Sequence, residues 1–462
     1  MEAVSQWAQS NFGSCVLGDK RRTRRLVTLA EQVGANTSAS LPDQTPAWSD
    51  LKSAYRLLAN DAVSFEAIAT PHWQQTRRRS PGRYLIIGDT TELDFGYQRQ
   101  ISGLGPTGNG YGKGFLLHSG MMVNADSSEI IGMAGQTIHY RPLKKKKKKE
   151  NASQRLSRKR ESEVWGKVID QVGPPPQDAQ FIHVFDRGGD NFETFCHLVE
   201  QKSDWVVRGS QLHRNVLAGE SQEKIPLKEF LPSLEVLGSY TLELRTRDKQ
   251  PAREAKLEVR VGKLKLPRPQ HVSPWVRQRD PQPIAMNVIH VVEVDAAKNV
   301  TPISWVLLTS LPVETFEQTW EAIEFYESRW LIEEYHKALK TGCRVEQTQL
   351  KTAGSLEALM GLMSVVAVRI LSLKTIANKN PDLPARKVVP PIWLQVLKAA
   401  RKKLTRVNDL TVRQFFREVA ILGGFIGRKS DGEPGWITIW RGWNKLNNYV
   451  HAVSIAEKLK TQ

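Results

Sequence analysis

The sequence predicts a mixed α/β chain, and three observations predict it. The beginning is helical and basic, two apolar runs in the middle break off at acids, and helical spacing returns towards the end. Length sets the scale. With 462 residues the chain can bury a substantial core and divides into two to four units. A hydrophobic share of 40% and a charged share of 25% are ordinary for a globular protein and argue against global disorder. The net charge of +18 is not ordinary. Such a field draws polyanions, nucleic acid first, although a merely basic surface would carry the same charge.

Cys15, Cys196 and Cys343 are few, odd in number and far apart, which reads as reduced core thiols in a cytoplasmic protein. The first residues lack a secretory pattern. The most apolar window, Leu356 to Leu373, is broken by Glu357 and Arg369 and reads as a buried helix rather than a membrane span, so no membrane partner is expected.

Taken in order, the first element follows Asp19, an N-cap candidate. Arg21, Arg22, Arg24 and Arg25 crowd its first turns, while Leu26, Leu29, Ala30 and Val33 recur at helical spacing and would leave many of the arginines facing out. A second helix carries Ala54, Tyr55, Leu57 and Leu58. A small helical unit with a cationic face suits DNA backbone and groove contact.

Character changes after Pro81-Gly82. Arg83 to Gly88 is a short apolar run that stops at Asp89, the pattern of a buried strand presenting a carboxylate at its C-terminal end. The glycines from Gly103 to Gly114 match no nucleotide fingerprint and read as a hairpin loop, and Ile130 to Tyr140 reads as another strand. Lys144 to Lys149 is a run of lysines that reads as a solvated tether able to hold DNA by counterion release. Phe181 to Phe185 then repeats the first pattern and stops at Asp186.

Between about 209 and 304, stretches such as Leu257-Glu258-Val259-Arg260-Val261 alternate apolar and charged residues, as an exposed antiparallel sheet does. Pro267 to Pro283 reads as a basic loop within it. Phe325 to Lys340 has no Pro or Gly and is dense in helix formers, with Thr341-Gly342 as its stop. At about 100° per residue Tyr326, Arg329, Glu333 and Lys340 fall within roughly 60° of one another, while Glu334 points elsewhere. Helical spacing resumes at Val412 to Phe425 and at Trp440 to Leu459.

A single acid at a strand end is commonly a cap or turn residue. Two at matching ends, with Glu333 on a helix, point further. Three carboxylates in one place repel unless a cation joins them, and hard oxygens suit Mg²⁺. Two such ions activate a nucleophile and stabilise a leaving oxygen, with Arg329 and Lys340 beside them as phosphate contacts.

The Tyr-x2-Arg-x3-Glu-x6-Lys spacing of Tyr326, Arg329, Glu333 and Lys340, together with Leu17-Gly18-Asp19, Ala54-Tyr55-Arg56, Asp89-Thr90-Thr91, Asp186-Arg187, the Trp205 to Arg208 and Trp305 to Ser310 stretches and Leu422 to Phe425, resembles the bacterial DDE transposases of the insertion-sequence-four group. The resemblance implies an RNase-H-like catalytic core at 71–375 with an antiparallel β subdomain inserted at about 209–304. A helical DNA-end-binding domain would precede it at 1–70 and a helical dimerisation domain follow at 376–462. It makes Asp89, Asp186 and Glu333 a triad for two Mg²⁺ ions, or Mn²⁺ in their place. Tyr326, Arg329 and Lys340 would hold the DNA backbone near the cut, Arg208 would contact DNA, and Trp305 and Trp330 would lie near a flipped base. Core packing is the competing reading for both tryptophans. Arg21, Arg22, Arg24, Arg25, Tyr55 and Arg56 would serve end binding.

The activity implied is cut-and-paste transposition by a homodimer acting on double-stranded transposon ends and target DNA, through a hairpin intermediate, in the bacterial cytoplasm at the nucleoid. Two other readings share the residues: a metal-dependent structure-selective nuclease, and a DNA-binding protein without chemistry. The chain departs from the group's pattern at Gly188-Gly189 and at Gly209-Ser210-Gln211, where relatives carry Glu-Ala and a lysine-rich run.

Overall fold

The computed structural model describes residues 4–37, 39–45, 47–78, 81–143, 160–219, 222–244, 252–297, 300–379, 381–404, 407–428 and 431–460. Lys144 to Lys149 lie outside the described residues. Five helices open the chain: α1 (Val4–Phe12), α2 (Lys20–Ala35), α3 (Leu41–Gln44), α4 (Trp48–Leu58) and α5 (Phe65–Arg77). Asp19 caps α2 by accepting a hydrogen bond from the Arg21 amide at 2.7 Å, and the aliphatic face expected of α2 is buried. These helices do not stand apart from the sheet. His72 of α5 bonds to Asn11 of α1 at 2.7 Å and accepts from the Met133 amide at 3.0 Å, so one core runs through both. The boundary expected at residue 70 therefore falls inside a continuous helix.

The sheet begins with β1 (Gly82–Asp94), β2 (Gly105–Thr107), β3 (Gly112–Asn124) and β4 (Ile130–His139), the β2–β3 turn being the expected glycine hairpin. After α6 (Glu163–Val172) comes β5 (Ala179–Phe185), then α7 (Phe192–Glu200) and β6 (Asp204–Arg208). β1, β5 and β6 are parallel neighbours, and β3 pairs antiparallel with β1 from Tyr84 to Asp94. That second pairing corrects the first expectation for Asp89. It is not at the end of its strand, because β3 supports β1 as far as Asp94. It does lie one residue past the last β1–β5 pair, Gly88 with Phe185, and Asp186 lies one residue past the same pair.

The inserted segment supplies β7 (Asn215–Ala218), β8 (Glu223–Pro226), the turn α8 (Leu227–Phe230), β9 (Glu235–Leu244), β10 (Arg253–Leu266), α9 (Pro274–Arg279) and β11 (Ile284–Val294). Its strands are antiparallel and β10 alternates as expected, with Leu257, Val259 and Val261 buried. It is not a detached sheet: β12 (Ser304–Thr309) pairs with β11 on one side and β6 on the other, making one sheet of 12 strands among the described residues. The proline-rich loop also holds a helix, α9, capped by Ser273 and started by Pro274.

Helices α10 (Phe316–Glu327) and α11 (Trp330–Lys337) run on through a π-helical turn at Ala338–Gly342. The expected single helix is thus tightened at Ser328 and Arg329, where the amides of Arg329, Leu331 and Ile332 bond three residues back, and loosened at its end. Helix α12 (Ala353–Lys379) holds a stretch, Ala353–Ser372, apolar enough for a membrane, yet 83% of that window is buried against the protein's own elements. It also crosses the boundary expected after residue 375. Helices α13 (Pro391–Ala400), α14 (Val412–Leu422) and α15 (Trp436–Lys460) close around their own core of Leu397, Phe415, Val419 and Leu446. A Cβ at Gly442 would stand 1.6 Å from the Val419 carbonyl oxygen, so α14 and α15 touch backbone to backbone there.

Candidate active site

Strand parity places the acids. On β1, Leu85 and Ile87 join the core under the N-terminal helices, α11 and α12, whereas Tyr84 and Ile86 face the α6 side. Asp89 continues the Leu85–Ile87 row because strand side chains alternate. On β5 the row is Ile182 and Val184, and Asp186 extends it. Adjacent strands lie about 4.8 Å apart, so the two acids are lateral neighbours on one face. The same parity carries Arg208 beyond Val206 on β6 and Trp305 beside Leu307 on β12.

α10 and α11 bring the remaining groups over this face. Leu331, Ile332 and Tyr335 bury one side of α11 and leave Glu333 half exposed on the other. Arg329 reaches both shores: its Nη2 is 2.5 Å from Glu333 Oε1 and its Nη1 3.7 Å from Asp89 Oδ2. Glu334 is buried and pairs with Lys337 at 2.9 Å, so the neighbouring acids face different surroundings, as the helical wheel requires. Burial, helped by the negative Asp186 and Glu333, pushes the Asp89 carboxyl up to about 6 against the Thr90 amide and Arg329. Asp89 thus feels the charge of both other acids.

Beside the acids Tyr326 and Trp305 stack with ring centroids 6.3 Å apart and 27° between planes. The Arg208 guanidinium lies 5.4 Å from the Trp305 ring and 5.8 Å from the Tyr326 ring. Burial lowers the Arg208 pKa, the positive Arg187 and Arg329 lower it further, and the Tyr326 phenol opposes them. Tyr326, Arg329, Glu333, Trp305, Arg208, Asp89 and Asp186 are thus gathered on one face. Lys340 is not among them: the π turn carries it to Glu346, 3.6 Å away, beyond the Asp94 end of β1. Trp330 opens α11 with 52% of its surface exposed.

The N-terminal arginines divide. Arg21 and Arg24 are exposed, as are Tyr55 and Arg56 on α4. Arg22 is turned to the Leu17 carbonyl at 2.8 Å, and Arg25 holds Asp50 at 3.0 Å, fastening α2 to α4. Two residues that sequence reasoning left without a role also shape the site. Asp190, almost wholly buried, accepts from the amides of Ser210 and Gln211 and pairs with Arg214, binding the loop after Asp186 to the loop after Arg208. Arg187 is exposed beside Asp186 within electrostatic range of Arg208. The departures at Gly188-Gly189 and Gly209-Ser210-Gln211 are these same two loops. An acid shortly after Asp186 facing backbone amides was the available signal.

The donor set is three carboxylates with hard oxygens, the chemistry that divalent Mg²⁺ or Mn²⁺ requires. Among the described residues no three such side chains are drawn together closely enough to hold a metal as they stand. Arg329 lies between two of them.

Residues 4–63 match the family description "Transposase DNA-binding", and residues 365–460 match "Transposase Tn5 dimerisation domain". These two domain matches support a Tn5-like transposase. The first match covers α1 to α4 with Arg21, Arg24, Tyr55 and Arg56, and the second runs from inside α12 through α15, so the transposase has DNA as a partner and carries a dimerisation domain. A solved structure described as a cryo-EM structure of a piggyBac transposase synaptic complex with hairpin DNA is similar at a TM-score of 0.37 and 11% identity, over 82% of this chain and 72% of that one.

Proposed function

We propose that the transposase is a DDE enzyme that cuts transposon ends and joins their 3′ ends to target DNA, with Asp89, Asp186 and Glu333 as its acids. One observation carries the reading: two acids stand one residue past the last pair of two adjacent parallel strands, on one face, and a helix bearing a third acid and an arginine lies across them. We read β4, β3, β1, β5 and β6 as an RNase-H-like core on the same ground.

The three acids would hold two divalent ions, which when bound lower the pKa of water and stabilise the leaving oxygen of an in-line displacement. The chain's own groups do the rest. β1 and β5 hold two carboxylates rigidly, and α11 sets the third against them. Arg329 and Arg208 offer guanidinium forks to phosphate oxygens. Trp305, braced by Tyr326, presents an indole face to an unpaired base. Arg21, Arg24, Tyr55 and Arg56 face the end sequence from the N-terminal helices. The freed 3′ hydroxyl attacks the opposite strand to form a hairpin, which is reopened before joining. The same reading places a homodimer on the bacterial nucleoid.

Glu333→Gln is expected to abolish nicking of end DNA while end binding survives. Full cleavage by that variant would refute the assignment. Joined product from labelled ends and a target plasmid separates a transposase from a nuclease, which would leave only hydrolysed ends.

A further inference from the structure

We infer that Arg329 is an internal cation that closes the acid centre in the free protein, so that divalent metal binds there tightly only after DNA draws the guanidinium away. The inference rests on the acid assignment proposed above. Its ground is the geometry of one side chain. Arg329 stands at the tightened junction of α10 and α11 and is itself partly buried, with a side-chain exposure of 22%. Its two terminal nitrogens take Glu333 Oε1 at 2.5 Å and Asp89 Oδ2 at 3.7 Å. These are oxygens a divalent ion would need. A guanidinium between two carboxylates removes much of the repulsion that would otherwise favour a metal, and it blocks their approach to each other. The centre therefore satisfies itself without metal. This accounts for three acids that share one electrostatic field yet are not drawn together as a metal cluster.

The guanidinium gains nothing by leaving without a new anion, because it would give up a charge-assisted pair in a partly buried place. Among the described residues the other groups around it are Tyr326, Trp305, Arg208 and Arg187, aromatic or cationic, and Asp186, an acid of the same centre, so a move to Asp186 would not open the centre. A phosphate of bound DNA is an anion of the right geometry, since it accepts two parallel N–H bonds from the fork. Moving Arg329 to a phosphate exchanges its contacts with two carboxylates for two bonds to one phosphate and releases both acids. DNA and metal binding are then positively coupled, and by linkage each strengthens the other by the same factor. The benefit is chemical: a centre closed until DNA arrives does not hold an activated water in the absence of substrate.

The test measures Mn²⁺ binding to the full chain by electron paramagnetic resonance, with and without a cleavage-resistant duplex, for wild type, Arg329→Ala and Arg329→Lys. In wild type the duplex is expected to tighten Mn²⁺ binding by about ten- to a hundredfold. Arg329→Ala is expected to bind Mn²⁺ without DNA as tightly as wild type does with it. Arg329→Lys should fall between, since an ammonium cannot bridge both acids. Melting in the absence of metal guards against misfolding: Arg329→Ala should melt below wild type, and Mn²⁺ should raise it more than it raises wild type. Equal DNA-free affinity in wild type and in a folded Arg329→Ala would overturn the inference while leaving the acid assignment standing. No Mn²⁺ binding by any form, with or without DNA, would overturn both, and binding that persists in Asp89→Asn would place the metal elsewhere and do the same.

Discussion

Helices α2 and α11 both carry arginine near their starts, and the structure uses it in opposite ways. On α2 four arginines lie within five positions, and their fates follow helical phase: Arg21 and Arg24 face solvent, whereas Arg22 and Arg25 are fixed to Leu17 and Asp50. At the start of α11 a single arginine is aimed at two acids that arrive from other elements. Charge density in a sequence counts cations. It does not say which of them are free to meet DNA, because that depends on partners distant in the chain.

The sharpest break is between α2 and the acid centre that α11 helps to form, and it is chemical. Asp186→Asn is expected to lower end cleavage by about a thousandfold or more while end binding is kept, because a lost carboxylate removes charge stabilisation used in the transition state. Arg24→Ala should do the reverse, weakening end binding and flattening its salt dependence by about one phosphate contact, with cleavage of bound complex unchanged. Loss of cleavage by Arg24→Ala at saturating protein would erase the distinction.

Acid should also tell the helices apart. Burial holds His336 of α11 down at about 3, and the positive Lys340 and Arg329 add to this, while the buried face of α2 is aliphatic. In the open chain an imidazole titrates near 6.5, so below that pH the open form binds a proton that the folded form refuses. The stability contributed by neutral His336 is complete above about 6.5 and is lost as pH falls towards 3. Hydrogen exchange between pH 7 and pH 4.5 should therefore show the protection of α11 falling before that of α2, and uniform loss would contradict it. The smallest effect expected is on stability alone. Arg25→Ala should cost about 1–2 kcal/mol by releasing Asp50, and Arg21→Ala almost nothing. A pair of melting curves decides it.

Much of this was legible because the physics was local. The apolar runs ending at Asp89 and Asp186 form the two adjacent parallel strands, alternation marked β10, and the wheel separated Glu333 from Glu334. What escaped depended on contacts far apart in sequence. β3 lengthened β1 past Asp89, β12 joined the insertion to the main sheet, and the π turn rotated Lys340 towards Glu346. The convergence of Arg208, Trp305 and Tyr326 could be proposed only by resemblance, since no spacing within the chain encodes it. Helix α9 is a different kind of miss. Ser273-Pro274 was a readable start signal, overshadowed by the surrounding prolines.

The central claim is that acids from β1, the end of β5 and α11 share divalent metal beside DNA. Iron(II) bound in place of Mg²⁺, with ascorbate and peroxide, cuts a polypeptide close to where the ion sits, so the DNA-bound transposase reports its own metal site. Cuts are expected near Asp89, near Asp186 and near Glu333 together, disappearing in Asp89→Asn; cuts elsewhere, or cuts at these three that Asp89→Asn leaves intact, would contradict it.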